Sequence, residues 1–139
     1  MRKKDAYQQY KDVQIKTANQ GKLLLMLYQG CIKFLGLAVK SIDDQDWEGA
    51  NNYLKRSRKI INELMCSLNM EQGGEIAENL FSLYEFMNHQ LIQANIHKDT
   101  ESVEFVKGLL LKLLAAWQEI INTSNDQGEM GNKNLSINI

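Results

Sequence analysis

The sequence predicts an all-α protein, an antiparallel four-helix bundle of up-down-up-down topology. Three observations predict this fold. The 139 residues contain no proline, the residue that breaks helices most strongly. Four segments repeat apolar residues at spacings of three and four, which places each apolar row on one helix face. The breaks between the segments are about four to six residues long, so consecutive helices must run antiparallel.

The first predicted helix runs from about Asn19 to Ile42. Its start is marked by Thr17-Ala-Asn-Gln20, which fits a capping box, although Asn19 could equally serve as the N-cap. The acidic stretch at residues 43–46 ends this helix and offers Asp46 as the N-cap of the next. The residues predicted to face the core are Leu24, Leu27, Cys31, Leu35, Ala38 and Ile42.

The second predicted helix runs from Asp46 to about Leu68, and residues 69–74 then interrupt the apolar pattern. The third runs from Glu75 to about Ile96. The inward row of the second helix is Ala50, Leu54, Ser57, Ile61, Leu64 and Leu68. That of the third is Ala77, Leu80, Tyr84, Met87, Leu91 and Ala94.

The fourth predicted helix is capped by Asp99 or Thr100 and runs to about Ile121. Its inward row is Val103, Val106, Leu110, Leu113, Trp117 and Ile121. The bundle is thereby assigned to residues 17–122. It lies between a flexible N-terminal cap segment at 1–16 and a tail at 123–139, whose Asn, Gly and Ser content predicts disorder.

The first and fourth helices carry more apolar residues than a bundle core requires. A core-facing helix needs about three apolar residues in seven, or about nine here. The first helix has 14 in the 21 residues from Lys22 to Ile42, and the fourth has 13 in the 22 residues from Thr100 to Ile121. The surplus forms a second stripe on each helix, consisting of Leu23, Met26, Gly30, Phe34 and Leu37 on the first and Phe105, Leu109, Ala116 and Ile120 on the fourth.

Periodicity leaves three interpretations of these stripes open. The two helices are the more buried pair of a compact bundle, or the stripes form a groove for a partner helix or extended peptide. In the third interpretation they form a homodimer face, since apolar stripes of this size need a cover in a soluble protein.

Composition and charge argue against several classes of function. The 16 basic and 17 acidic side chains give a net charge of -1, unlike a dedicated nucleic-acid binder. The longest unbroken apolar run, Leu23 to Tyr28, is far shorter than the roughly 20 residues of a membrane span, so no membrane insertion is expected. The basic start, Met1 to Lys4, is not followed by an apolar region, so it is not a signal peptide. Two lone cysteines, Cys31 and Cys66, are typical of a reduced cytoplasmic protein.

No residue pattern supports catalysis, a metal or a cofactor. His89 and His97 are eight residues apart, not the four of a helical zinc site. Glu85 precedes His89 by four residues, whereas a carboxylate-bridged di-iron bundle needs Glu-x-x-His twice. The sequence therefore predicts a protein that is not an enzyme. Four cations at residues 55–59 lie on the second helix and form either a solvated face or a docking patch for an acidic partner.

Several stretches, in one collinear order, resemble the flagellar secretion chaperone family FliS. Gln20 departs from the pattern, since family members often carry proline in this first helical turn, where it only pre-sets the helix start. The stretches that carry the resemblance are Tyr7-x-x-Tyr10, Thr17 to Gly30, Gly73 to Leu80, Leu83-Tyr84 with Met87, Leu91 to Ile96, Lys98-Asp99 and Ala116-Trp117.

The resemblance implies a four-helix bundle that binds the C-terminal segment of flagellin in the cytoplasm, blocks its premature polymerisation and keeps it competent for export. It also implies delivery to the membrane export gate as a chaperone–flagellin complex, and an N-terminal segment that lies over part of the groove and rearranges on binding. The alternative is a non-catalytic bundle whose stripes form a weak homodimer or a regulatory-protein interface.

The residues predicted to bind the partner come from two sources. Tyr7 and Tyr10 are carried over from the family motif. The stripes supply Leu23, Met26, Phe34, Leu37, Phe105, Leu109, Ala116 and Ile120. The motif residues Tyr28, Leu83, Tyr84 and Trp117 fit either binding or packing, and Trp117 lies in the predicted core row.

Overall fold

The predicted fold class is confirmed by a computed structural model, which describes the backbone of residues 2–126 and the side chains of residues 20–123. The described backbone consists of four helices without strands, α1 (Arg2–Asp43), α2 (Trp47–Cys66), α3 (Gly74–His97) and α4 (Thr100–Asp126). Short connections at residues 44–46, 67–73 and 98–99 join them.

The helices pack in a ring, each against its neighbour in the sequence, and α1 closes the ring against α4. Over the described residues the diagonal pairs, α1 with α3 and α2 with α4, are not in backbone contact. Gly21 of α1 lies beside Ile121 of α4, and Gly36 lies beside Lys107, so the two helices run antiparallel. Helices α2 and α3 also run antiparallel, because Asn51 bonds to Asn95 and Asn62 bonds to Asn88.

The predicted start of the first helix at Asn19 is wrong, because α1 runs without interruption from Arg2. No proline or glycine lies between Arg2 and Gln20, so nothing in this stretch forces a helix end. The predicted boundary at residue 16 thus coincides with no helix end. The fourth helix also extends beyond the predicted Ile121, to Asp126, and the tail after it lies outside the described residues.

The predicted N-cap of the second helix is confirmed. The Asp46 carboxylate accepts a hydrogen bond from the Gly49 amide at 3.0 Å, and a side-chain Cβ at residue 49 would clash with that carboxylate and with Ser41. At the fourth helix, Asp99 accepts bonds from the Glu101 amide at 3.0 Å and the Ser102 hydroxyl at 2.9 Å. Asp99, rather than Thr100, therefore provides the cap.

The core contains most of the predicted inward rows. On α3 all six predicted residues are buried, and on α2 all but Leu68. On α1 the row begins with Tyr28 rather than with Leu24 and Leu27, which are partly buried. On α4, Leu113 and Ile121 are partly buried, and the other four predicted residues form the core.

Three core residues that were open to two interpretations form a buried hydrogen-bonded network. The Tyr28 and Tyr84 hydroxyl groups lie 2.5 Å apart, and Trp117 Nε1 donates to the Tyr28 hydroxyl at 3.2 Å. Tyr28 and Tyr84 are buried from solvent, and Trp117 nearly so. These three residues therefore pack the bundle, while Leu83 is only partly buried at its edge.

Burial of Cys31 predicts a loss of stability at alkaline pH. Burial raises the pKa of the Cys31 thiol from 9.0 to about 12, against a smaller opposing contribution from its hydrogen bond to the Ser57 carbonyl. Between these values the unfolded chain loses a proton that the folded chain keeps, so ionisation favours unfolding. The contribution to stability is complete below pH 9.0 and falls by about 1.4 kcal/mol per pH unit above it.

Urea unfolding of the wild type from pH 8 to about pH 10 measures this decline. Cys31→Ala is expected to remove it, and Cys66→Ala, which removes the exposed thiol, is the matched control that should keep it. A Cys31→Ala variant that declines as steeply as the wild type would contradict the assignment. At higher pH Tyr28 and Tyr84 steepen the loss, because burial raises the pKa of both phenols.

One stretch of α1, Gln20–Asp43, is long and apolar enough to span a membrane by length and composition. In the fold the same stretch packs against α2 and α4 and contributes Tyr28, Cys31 and Leu35 to the core. The core helix of a soluble bundle meets the same length and composition criteria, so this feature alone does not indicate insertion.

Candidate functional site

The apolar stripe of α1 lies along its contact with α2. The Phe34 ring stacks on Tyr53 of α2 with centroids 6.1 Å apart, and a Cβ on Gly30 would lie 3.6 Å from the Ile60 side chain. Leu23, Met26 and Leu37 share this face of α1, and Met26 is 56% exposed. We call this surface the α1/α2 seam, and it comprises Leu23, Met26, Gly30, Phe34, Leu37, Tyr53 and Ile60.

The apolar stripe of α4 lies along its contact with α3. Phe105 packs edge-to-face against Phe86 of α3, with centroids 6.2 Å apart and rings at 84°. Phe105 is 54% exposed, Phe86 42% and Ile120 40%, so this contact is open to solvent. We call this surface the α3/α4 seam, and it comprises Phe86, Phe105, Leu109, Ala116 and Ile120.

The two seams lie on opposite sides of the bundle. α1 meets α4 through Gly21, Gly36, Lys107 and Ile121, none of which belongs to either stripe. The α1 stripe faces α2 instead, and the α4 stripe faces α3. The stripes therefore do not form one groove between the first and fourth helices, and a partner that contacts both must pass around the bundle.

Every predicted stripe residue is at least partly exposed, so the stripes are not the interior of a more compact bundle. Four of these residues are half-buried, namely Leu23, Phe34, Leu37 and Leu109. Ala116 is exposed, as are Met26, Phe105 and Ile120. The side chains of Tyr7 and Tyr10 lie outside the described residues, and their role stays a prediction.

Sequence reasoning missed the residues that complete each seam. Tyr53 and Ile60 on α2 and Phe86 on α3 occupy positions next to the core rows of helices with no marked apolar surplus. The signal that could have found Phe86 is its position two residues after the inward Tyr84, where a solvated helix face usually carries a polar residue. Its partner Phe105 could be identified only from the packing of α3 on α4.

Titratable groups do not form a metal site within the part of the chain that the structure describes, where no cluster of three or more His, Cys, Asp or Glu occurs. An open depression at the end of α2 is lined by Lys59, Asn62, Glu63, Cys66 and Ser67. It lies at the surface, and its Ser67 hydroxyl donates to the Leu64 carbonyl at 2.9 Å rather than to a base. The two apolar seams are therefore the candidate site, and their chemistry is that of a binding surface.

Comparison with known proteins places this geometry in a family. The sequence matches the family described as Flagellar protein FliS over residues 3–124. The chain belongs to the FliS family. The resemblance found in the sequence motifs is thereby confirmed over most of the chain.

Curated relatives in this family carry the name flagellar secretion chaperone FliS. The protein of Bacillus subtilis is 36% identical over 117 residues, which cover 84% of this chain and 86% of the relative. The protein of Salmonella typhimurium is 36% identical over 107 residues, which cover 76% of this chain and 79% of the relative.

A solved crystal structure of a bacterial flagellar chaperone supports the FliS fold of this chain. It superposes with a TM-score of 0.72 over 87% of this chain and 98% of the other, at 19% sequence identity. At that identity the likeness bears on the arrangement of the helices and not on individual side chains. The four-helix architecture is thus shared with a solved flagellar chaperone.

Proposed function

We propose that this FliS-family chain is a cytoplasmic chaperone, without catalytic activity, that binds the C-terminal segment of flagellin. By covering that segment it blocks premature polymerisation, keeps flagellin competent for flagellar type III export and delivers it to the membrane export gate as a complex. The names of the curated relatives support the chaperone class. The apolar seams support binding of a long, apolar segment.

The observation that carries the proposal is the exposure of two apolar seams on opposite sides of one small bundle. A single helix lying in one seam would leave the other in water. Because packed helices lie about 8–10 Å apart, a chain passing from one side to the other spans about 20 Å, or about six extended residues. A segment that is disordered on its own and has two apolar parts joined by such a link fits both seams.

Binding of this kind must offset the ordering of the partner. Coupled folding and binding costs roughly 2–5 kcal/mol of the gross interaction. At about 25 cal/mol per Å² of buried apolar surface, covering about 200 Å² offsets the upper end of that cost. Large side chains on both seams, with Met26 and Phe105 more than half exposed, provide surface of this kind. A negative heat-capacity change should accompany binding.

Calorimetric titration with the isolated C-terminal segment of the same organism's flagellin tests the proposal. We expect a one-to-one complex of micromolar or tighter affinity, lost when the segment is truncated. Binding that is absent with the intact segment would overturn the proposal. Light scattering of the free chain examines the alternative, because a stable homodimer that flagellin does not disrupt would mean that the seams pair with themselves.

A further inference from the structure

The α1/α2 seam lies in a surface that contains cations and no acids. From Gly21 to Ile42 on α1 and from Gly49 to Asn62 on α2 there is no Asp or Glu. On the seam side the two stretches contain five basic residues, Lys22, Lys33, Lys40, Arg56 and Lys59. Lys55 and Arg58 share instead the side of α2 on which Asn51 and Asn62 bond to α3. A solvated helix face normally mixes both signs, so this segregation sets the seam apart.

The α3/α4 seam has the opposite charge. Helix α3 contains three glutamates, Glu75, Glu78 and Glu85, and neither lysine nor arginine. Helix α4 adds Glu101, Glu104 and Glu119 against Lys107 and Lys112. The two seams therefore share an apolar centre but differ in the sign of the charges around it, so charge can distinguish the segments that they bind.

One cation of the α1/α2 seam lies beside its half-buried aromatic pair. The guanidinium carbon of Arg56 lies 5.7 Å from the centroid of the Phe34 ring, which stacks on Tyr53. Lys33 lies one helical turn from both Gly30 and Leu37 on the same face. Phe34 thus has the Arg56 guanidinium group beside its ring, and Lys33 extends the positive charge along the α1 stripe.

In the part of the chain that the structure describes, neither Arg56 nor Lys33 forms an ion pair with a carboxylate. Within the described part of the chain the one ion pair is Lys40 with Asp44, at 3.2 Å. Glu63 lies one turn beyond Lys59 on α2 but is not paired with it. Like charges at neighbouring helical positions disfavour folding slightly, and an anionic partner would reverse that effect.

We propose that the α1/α2 seam binds an acidic amphipathic segment, whose apolar side chains pack on Phe34 and Met26 while its carboxylates bind Arg56 and Lys33. Arginine suits this role because its guanidinium group can bind a carboxylate with two parallel hydrogen bonds. That this segment comes from flagellin rests on the proposed function. The preference of the seam for acidic segments can be tested without flagellin.

Two synthetic helical peptides of about 18 residues test the preference, since the seam from Leu23 to Leu37 is about 21 Å long. They share one apolar stripe of leucine and phenylalanine, and their polar face carries either glutamate or lysine. Fluorescence anisotropy uses the full chain with Phe105→Lys, which keeps the lysine peptide off the acidic α3/α4 seam. It should show the glutamate peptide binding about tenfold or more tightly than the lysine peptide, with the advantage shrinking as salt rises.

Two charge-reversal variants locate the effect. The variant with Lys33→Glu and Arg56→Glu should abolish or invert the preference. The matched control with Lys98→Glu and Lys107→Glu carries the same change in net charge outside both seams and should keep it. Circular dichroism and urea unfolding verify that both variants fold. Equal affinity for the two peptides, or a preference that Lys33→Glu/Arg56→Glu leaves intact, would overturn the proposal.

Two further outcomes are distinguishable. If an oligothymidine strand binds the wild type as tightly as the glutamate peptide and weakens in the Lys33→Glu/Arg56→Glu variant, the cations bind polyanions and the acidic-peptide assignment is wrong. If the glutamate peptide is selected but the flagellin segment does not bind, the proposed function fails while the charge preference of the seam stands.

Discussion

Replacing Phe34 with aspartate is expected to weaken binding of the flagellin C-terminal segment by about 100-fold or more. Truncating a central aromatic contact typically costs 2 kcal/mol or more, and about 1.4 kcal/mol corresponds to a tenfold loss. The new carboxylate adds to this loss, because a docked partner would bury it away from water. Arg56, now 5.7 Å from the ring centroid, is placed to pair with it, which would also remove a cation from the seam.

The fold should tolerate this substitution. Phe34 is only half-buried and lies outside the core row, which consists of Tyr28, Cys31, Leu35 and Ala38 on this part of α1. Helix content by circular dichroism should therefore match that of the wild type. Titration calorimetry measures the affinity, and the same flagellin segment is used for both proteins.

Leu111→Asp is the matched control for Phe34→Asp. Leu111 is 47% exposed and belongs to neither seam, so the same change from an apolar side chain to aspartate should alter the affinity by less than about threefold. Unchanged binding by Phe34→Asp would show that the α1/α2 seam is not a contact surface, although membership of the FliS family would stand. An equal loss in both variants would show that the contact extends beyond the seams.

The core could be predicted from sequence because burial on one side of a helix leaves a periodic trace. All six inward residues of α3 and the Asp46 cap of α2 were predicted because each depends on spacing within a single helix. The start of α1 was missed for a related reason. A capping residue marks a helix start only where the preceding chain leaves the helix, and nothing in residues 2–18 makes it do so.

The site was predicted only in part, because a seam is a property of two helices. The apolar surplus identified the α1 and α4 stripes, but periodicity does not say which neighbour a stripe faces. That depends on the order of the helices around the bundle, which places α2 beside Phe34 and α3 beside Phe105. The opposite charges of the two seams likewise emerge only when the helices are paired.

Replacing Tyr28 with phenylalanine is expected to destabilise the bundle by roughly 2–4 kcal/mol, more than the same change at Tyr84. The Tyr28 hydroxyl is the centre of the buried network, in contact with both the Tyr84 hydroxyl and Trp117 Nε1. Its removal leaves two buried polar groups without these partners, and each unsatisfied group costs about 1–3 kcal/mol. Tyr84→Phe removes one hydrogen bond and leaves the bond from Trp117 to Tyr28 intact, so its cost should be about 1 kcal/mol.

Urea unfolding at pH 7 followed by circular dichroism measures both free energies, with an unchanged m-value showing that the unfolded ensemble is comparable. Tyr53→Phe is the control, because Tyr53 lies at the α1/α2 seam and its hydroxyl is not part of the core network. Equal losses for Tyr28→Phe and Tyr84→Phe would contradict a network centred on Tyr28. The expected order follows from connectivity alone, since phenylalanine keeps the ring and its packing at all three positions and removes only the hydroxyl.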